Sequence, residues 1–562
     1  MFHFFEGSCH LKNASILFST FLCYTFYMQN IRKLPIGIQS FENLRKNNYL
    51  YVDKTEFVYN LVHTGQVYFL SRPRRFGKSL FISTLKAYFE GKKELFSGLK
   101  IEELEKDNPD AWKCYPVIYL NFAQNNFSKE NFLNECINLQ LEEYEKKYGI
   151  EKKYSDNLNP VHFAGRFINI VKTAREQTGL QAVVLIDEYD KPLLDTQNNE
   201  ELTEDNRQTL RGLYITLKAL DENLKFVFLT GVTKFSKVSI FSDLNQLEDI
   251  SITERYAAIC GITEDEMLST FEPEIKAMAE KNELTEQECI KKLEQIYDGY
   301  HFHHNCKGVY NPFSLINALK NLDFSYYWFA TGTPTFLIKK LSQSTMNYMD
   351  LSNGTEATAQ EIQDYRNDNP NPIPLFYQTG YLTIKGYDKE FGVYLLKYPN
   401  DEVKYAFINS LAPSVLNIES TSELDIVSFA RDIKKGDIES VMLKFKALFA
   451  KLPYTTCKKE KEDSIVEQNF QNVFYLVFTL LGQWSAVEET SSFGRADCVL
   501  QNGNNIFIFE FKRDKSADEA LNQIEESKYA EPYLACGKNI IKIGASFSTK
   551  ERNLSEWKIV RE

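Results

Sequence analysis

The chain has 562 residues and a formal net charge of −12, with 43% hydrophobic and 14% aromatic residues, among them 42 Phe and 32 Tyr. That length exceeds what one hydrophobic core can organise, so about three domains are expected. The aromatic load excludes a disordered chain, and the negative balance excludes a protein that coats nucleic acid through bulk positive potential, leaving local basic sites only.

Ten cysteines are scattered without a C-x-x-C pair, as expected of reduced thiols in a cytoplasmic protein. The stretch "ASILFSTFLCYTFY" at 14–27 is apolar but short for a membrane span, and neither a basic flank nor a small-residue cleavage site accompanies it. Residues 1–27 read as a tail, from an upstream start or dispensable, ahead of a second methionine, Met28.

In "YFLSRPRRFGKSLF" at 68–81, an apolar strand runs into a basic loop and then an amphipathic helix. Arg72, Arg74, Arg75 and Lys78 crowd around Gly77, which suits a polyphosphate. The phosphate-cradling pattern G-x-x-x-x-G-K-[ST] is met at Gly77, Lys78 and Ser79, while its first glycine position is Arg72. Strand, loop and helix stand in the required order.

Further runs at 116–122, 182–186 and 225–236 predict buried strands separated by helices, hence a parallel sheet covered on both sides. The 182–186 run ends in Asp187 and Glu188. An aspartate there reaches Mg²⁺ held by Ser79, and the adjacent glutamate orients or deprotonates an attacking water. Thr230 and Thr233 fall at the carboxyl end of the next strand, as γ-phosphate sensors or as plain capping hydroxyls.

The segments "LPIGIQSFENLRKNNYLYVDKT", "FLSRPRRFGKSLFISTLKAYFEG" and "VVLIDEYDKPL" resemble the AAA-ATPase-like family over about 33–235. Arg72 departs from the general loop but not from that family's own form. The resemblance implies ATP binding through Gly77, Lys78 and Ser79, with Asp187 and Glu188 as the metal and hydrolytic acids; the basic loop adds Arg74 and Arg75 to the expected nucleotide contacts, and the strand-end position adds Thr230, with Ser79 joining Asp187 on the metal. Asp53 and Lys54 match the family's DKT segment and are expected to form a lid over the nucleotide.

Residues 251–340 read as a helical lid, with Thr263 and Thr285 as capping residues. His301, His303, His304 and Cys306 invite a zinc reading but lack a second ligand pair at finger spacing. "YDGYHF" and "YNPFSLINAL" also resemble family motifs. A linking region of small helical or winged-helix character is expected to about 455.

Beyond a charged boundary, Glu467 is the single acid of an apolar helix. Asn502 and Gly503 mark a hairpin turn, and alternation in "IFIFEFK" sets Ile508, Glu510 and Lys512 on one face. Counting back from a turn centred between 503 and 504 puts Asp497 opposite Glu510. Two carboxylates about 5 Å apart, with a lysine along the same face, call for a divalent cation such as Mg²⁺, although hairpins also carry Glu and Lys as ordinary solvated pairs. A capping box, Ser516 with Glu519, opens a helix read through 517–534 that contains Gln523.

This unit resembles the PD-(D/E)xK nuclease superfamily over about 465–545. The resemblance implies Asp497, Glu510 and Lys512 as the catalytic set, with Gln523 beside them and Glu467, Asp497 and Glu510 as metal ligands. Residues 461–562 hold 12 Lys and Arg against 16 Asp and Glu, so this part alone should grip nucleic acid weakly.

The expected architecture is α/β: a tail at 1–27, a P-loop ATPase domain at 28–250, a lid and linking region at 251–455, and a restriction-endonuclease-like domain at 456–562. The expected function couples ATP hydrolysis to Mg²⁺-dependent cleavage of nucleic acid, DNA before RNA, in a protein free of membrane and able to form a homo-oligomer. The alternative is a nucleotide-driven switch whose nuclease-like domain binds without cutting.

Overall fold

The computed structural model describes residues 32–123, 125–151, 158–234, 246–329, 335–342, 346, 348, 350–363, 371–416, 418, 424–451, 473–482, 486–488 and 497–561. The tail at 1–27 lies outside them.

Four apolar runs of the amino-terminal half form strands: β1 (Val67–Ser71), β2 (Val117–Asn121), β3 (Ala182–Asp187) and β4 (Leu224–Gly231). With the short β5 (Glu248–Asp249) they make a parallel sheet in the order β2-β3-β4-β1-β5. β3 is buried at every position, as an interior strand under packed helices must be. The register sets Ser71 beside Gly231 and Asn121 beside Asp187, so the carboxyl ends of four strands share one edge, where open sheets bind ligands.

That edge is tied together by Asp190. Its carboxylate accepts from the backbone N–H groups of Val232 (3.0 Å) and Thr233 (2.6 Å) and from the Thr233 hydroxyl (2.7 Å). The close approach needs a glycine in β4: a β-carbon at Gly231 would stand 2.3 Å from Asp190 Oδ1 and 2.7 Å from the Tyr189 ring.

The middle of the chain is helical where expected. Thr263 and Thr285 both form complete capping boxes, opening the helices Glu264–Lys281 and Glu286–Tyr297. With the Pro312–Asn321 helix they bury a core of their own that also takes in Leu34 from the amino-terminal segment. Beyond it, β6 (Thr355–Thr358), β7 (Thr383–Asp388) and β8 (Val393–Lys397) pair antiparallel in the order β6-β8-β7, beside the helices Ile373–Thr379 and Asp401–Leu416.

A second five-stranded sheet closes the chain: β9 (Ala486–Glu488), β10 (Cys498–Asn502), β11 (Asn505–Arg513), β12 (Asn539–Ser548) and β13 (Asn553–Arg561), ordered β13-β12-β11-β10-β9. β11 and β12 run parallel, with the Ala517–Glu526 helix crossing between them, and the other pairs are antiparallel. The capping box of Ser516 with Glu519 forms as expected. The helix it opens ends at Glu526, short of the predicted 534. Lys528 turns to φ +55°, and the chain doubles back so that Tyr529 and Ala530 drop into the core beside Ile524. Burial of those two side chains outweighs the helical propensity of the segment.

The Ile438–Lys451 helix, which the sequence places in the linking region, packs on this second sheet: Phe449 lies 5.5 Å from Phe547 between ring centres, and Trp557 Nε1 donates to Glu439 (3.0 Å). Among the described residues no helix is long and apolar enough to cross a membrane.

Gly231→Ala should cost about 1–3 kcal/mol of stability through overpacking against Tyr189 and Asp190. The expected readout is a lowered urea midpoint for the amino-terminal half, followed by hydrogen exchange in β3 and β4.

Candidate active sites

The phosphate loop leaves β1 at Ser71 and enters the Lys78–Phe89 helix through Gly77, whose φ of +93° only glycine adopts without strain. Arg75 also takes a positive φ, +68°. Between this loop, the 35–39 and 50–52 segments and the helical core lies a cavity of about 500 Å³. Arg74, Arg75, Gly77, Lys78, Ser79 and Glu188 line one side of it, while Ile36, Ile262, Phe271 and Phe313 line the other. A polar, cationic wall facing an apolar one matches a phosphate chain attached to a flat base.

Lys78 is buried and its Nζ donates to the Arg72 (3.0 Å) and Pro73 (3.1 Å) carbonyls. Arg74 and Arg75 are exposed, with the Arg75 guanidinium 5.1 Å from the Phe313 ring centre. Asp187 is fully buried; Tyr119 donates to its Oδ2 (3.4 Å), and its Oδ1 has no hydrogen-bond partner among the described residues. Burial pushes its pKa up to about 6, with the Glu188 charge adding and Ser79 and Lys78 opposing. A buried carboxylate with an unused oxygen beside a loop serine fits a divalent cation. Glu188, half-buried, holds φ +53° at the cavity wall. Such a conformation strains a non-glycine residue and persists only where its surroundings hold it.

Two expectations about this edge are corrected. Arg72 does not reach toward phosphate: it is 1% exposed, and its guanidinium donates to the carbonyls of Ser71 (2.9 Å), Ser251 (2.6 Å) and Tyr256 (3.0 Å) and lies 3.9 Å from the Phe302 ring centre. Thr230 is also turned inward, its hydroxyl donating to Leu70 across the β1–β4 pair (2.8 Å), and it does not line the cavity. A strand-end threonine satisfies its hydroxyl on the neighbouring backbone when no polar cavity is within reach. Thr233 is likewise held, by Asp190. Asp53 caps Thr55, whereas Lys54 ties the amino-terminal segment to Glu266 (2.7 Å) and the Ala258 carbonyl (2.9 Å) at the cavity.

The second site stands on the β10–β11 hairpin. Its pairs run from Asn502↔Asn505 to Cys498↔Phe509, so the turn is the two residues 503 and 504 and Asp497 falls at the next position, opposite Glu510. Asp497 Oδ2 accepts from the Phe511 N–H (2.8 Å). Glu510 is 2% exposed, its Oε1 accepts from Lys512 Nζ (2.9 Å), and its Oε2 has no partner among the described residues. Lys512 also donates to Gln523 Oε1, and Gln523 Nε2 donates to the Tyr529 hydroxyl (3.2 Å).

Alternation along β11 divides two environments. Ile508, with Ile524 and Tyr529, belongs to a small core under the Ala517–Glu526 helix, on the face of Glu510 and Lys512. Phe509 and Phe511 face the helical stretch at 473–481, with ring centres 5.1 Å from Phe478 and 3.9 Å from Phe474. Asp497 is exposed as a residue, yet crowding of its carboxyl and the Glu510 charge push its pKa up to about 7. Burial likewise raises Glu510, against the pull of Lys512. Two carboxyls reluctant to ionise together, one with an idle buried oxygen, fit a cation-binding pair.

Glu467 lies outside the described residues. Among those described, no three His, Cys, Asp or Glu side chains form a metal-binding group, and His304 instead stacks on Tyr387 (4.4 Å). Sequence reasoning missed Asp190, although it stands in the same "DEYD" run as Asp187, and missed Trp328, whose Nε1 donates to the Arg74 carbonyl (3.0 Å).

A family model described as Predicted AAA-ATPase matches residues 35–241, and one described as PD-(D/E)XK nuclease superfamily matches residues 465–557. A relative from Azotobacter chroococcum mcd 1, named "Uncharacterized protein in vnfD 5'region", is 34% identical over 529 residues, covering 93% of this chain and 98% of its own length. With the strand order, the loop and the hairpin already in place, the chain belongs to the predicted AAA-ATPase family, in a form that carries a carboxyl-terminal PD-(D/E)XK nuclease superfamily domain.

Proposed function

We propose that the chain binds and hydrolyses ATP and that its carboxyl-terminal domain cleaves nucleic acid, DNA before RNA, with Mg²⁺. The observation that carries this reading is the meeting of Asp497, Glu510, Lys512 and Gln523 at one hairpin end, on a chain whose phosphate loop faces a cavity of nucleotide size. In the first site, Lys78 and the loop's N–H groups take the phosphates, with Arg74 and Arg75 at the mouth. Ser79 and Asp187 would hold the cation, and Glu188 orients or deprotonates the attacking water.

In the second site Asp497 and Glu510, with Glu467, would hold the cation. Bound there, Mg²⁺ supplies charge neutralisation and a more acidic water. Lys512 Nζ stabilises charge developing on the scissile phosphate, and Gln523 keeps that ammonium in place. The second reading, a switch that binds without cutting, is favoured by one observation: Lys512 is already engaged by both Glu510 and Gln523.

Lys78→Ala should weaken ATP binding by roughly 10- to 100-fold, the worth of a charge-assisted bond to phosphate, whereas Lys512→Ala leaves it unchanged. Titration with a fluorescent ATP analogue checks both, and unaltered affinity in Lys78→Ala refutes the nucleotide site.

Cleavage of linear DNA at limiting Mg²⁺ should rise with pH through about 7, where Asp497 loses its proton, and Lys512→Ala should abolish it at every pH. Cleavage by Lys512→Ala at the parent's rate removes the nuclease assignment.

A folded-state pKa above the unfolded value means that Asp497 favours the fold when protonated. That contribution is present at acid pH and is lost as pH rises from about 4 toward 7. Asp497→Asn should therefore raise the melting midpoint at pH 8 in chelator while removing cleavage. A midpoint lowered at pH 8 contradicts the repulsive pair.

A further inference from the structure

The phosphate loop is gripped from behind by the middle of the chain. Trp328 Nε1 donates to the Arg74 carbonyl (3.0 Å), and the Trp328 backbone N–H donates to Glu402 (2.7 Å), which is 1% exposed. Gly380 turns at φ +90° so close to the loop that a β-carbon there would stand 2.7 Å from the Pro73 ring. Gln378 Oε1 accepts from the Lys234 N–H (2.9 Å) just beyond β4.

The same elements lead on to the second site. Trp328, Tyr381 and Phe407 form a run of ring contacts, 5.3 and 5.4 Å between centres, that ends on the Asp401–Leu416 helix. That helix presents Tyr405 to the 473–482 stretch, where a β-carbon at Gly482 would lie 3.0 Å from the Tyr405 hydroxyl. Ser352, on the short 350–353 helix, shares a hydrogen bond with Tyr475 in the stretch (2.6 Å). Phe474 and Phe478 in turn flank the β11 residues on either side of Glu510.

We propose that Trp328 is a positioning residue for the phosphate loop, and that the path through the Asp401–Leu416 helix carries the loop's state to the strand bearing Glu510. The inference rests on the nucleotide reading above. The two-state element is the loop itself: Lys78 now holds the Arg72 and Pro73 carbonyls, and a bound phosphate takes that ammonium away. The released carbonyls adjoin the Pro73 ring and the Arg74 carbonyl, the two points that Gly380 and Trp328 hold. A shift there has a packed route onward, and the coupling itself is what the exchange experiment below measures.

The test is hydrogen exchange at 473–481 in the full chain, with and without adenosine 5′-O-thiotriphosphate and Mg²⁺, beside a binding titration of the same analogue. In the parent, saturation should change exchange there by about threefold or more. Trp328→Phe keeps an aromatic ring against Tyr381 but loses the Nε1–H; read at analogue concentrations that saturate the variant by its own titration, the response at 473–481 should disappear. Glu402→Gln keeps an acceptor for the Trp328 N–H and should respond as the parent does. Binding without any change at 473–481 in the parent, or a parental response in Trp328→Phe, overturns the relay and leaves the nucleotide site standing. No binding by the parent overturns the nucleotide reading, and the relay with it.

Discussion

A buried arginine, Arg72, that forms no ion pair among the described residues sets the terms for the amino-terminal half. Removing a guanidinium from water is expensive, and the Arg72 pKa is lowered accordingly, to about 10. Three backbone carbonyls and the Phe302 face replace part of its hydration. Those partners come from β1's own end, from the 251–256 stretch and from the connection between the Glu286–Tyr297 and Pro312–Asn321 helices, so they converge only when the fold is complete. The loop that follows starts from a fixed point, which a glycine at this position would not provide. Rigidity sits behind the cavity, and the exposed cations Arg74 and Arg75 are left at its mouth.

Much of this was legible beforehand, and for physical reasons. Buried strands of a parallel sheet leave unbroken apolar runs, so β1 to β4 announced themselves, and both Thr capping boxes followed from a local hydrogen-bond pattern. The Asp497–Glu510 pairing followed from turn length and side-chain alternation alone. What escaped was decided by tertiary contacts. Nothing local distinguishes a Thr230 that bonds Leu70 from one that faces a ligand, and nothing in four scattered tryptophans marks Trp328 as the one that meets Arg74. The 517–534 segment looks helical throughout, and only the space waiting for Tyr529 explains why it stops.

The two sites solve opposite electrostatic problems with related means. The first gathers Arg74, Arg75 and Lys78 with Gly77 at one cavity wall, and keeps one aspartate, Asp187, nearly dry close by. The second gathers carboxylates in a domain that is itself acidic, and holds one lysine among them. In each, the buried acid has an oxygen with nothing to bond among the described residues, Oδ1 of Asp187 and Oε2 of Glu510. An idle acceptor of this kind costs stability in the protein as it stands, and under the proposed function a bound cation would offset that cost.

The hairpin between β10 and β11 works as a reading frame. Because its partners are counted from a two-residue turn, one residue inserted or removed there would rotate every later β11 side chain to the opposite face. Glu510 and Lys512 would then point at Phe474 and Phe478, and phenylalanines would stand where the acids meet. Length variation in that turn is therefore silent for the backbone yet decisive for chemistry, and relatives that retain this site should keep the span from Asp497 to Glu510 constant while the residues of the turn itself drift.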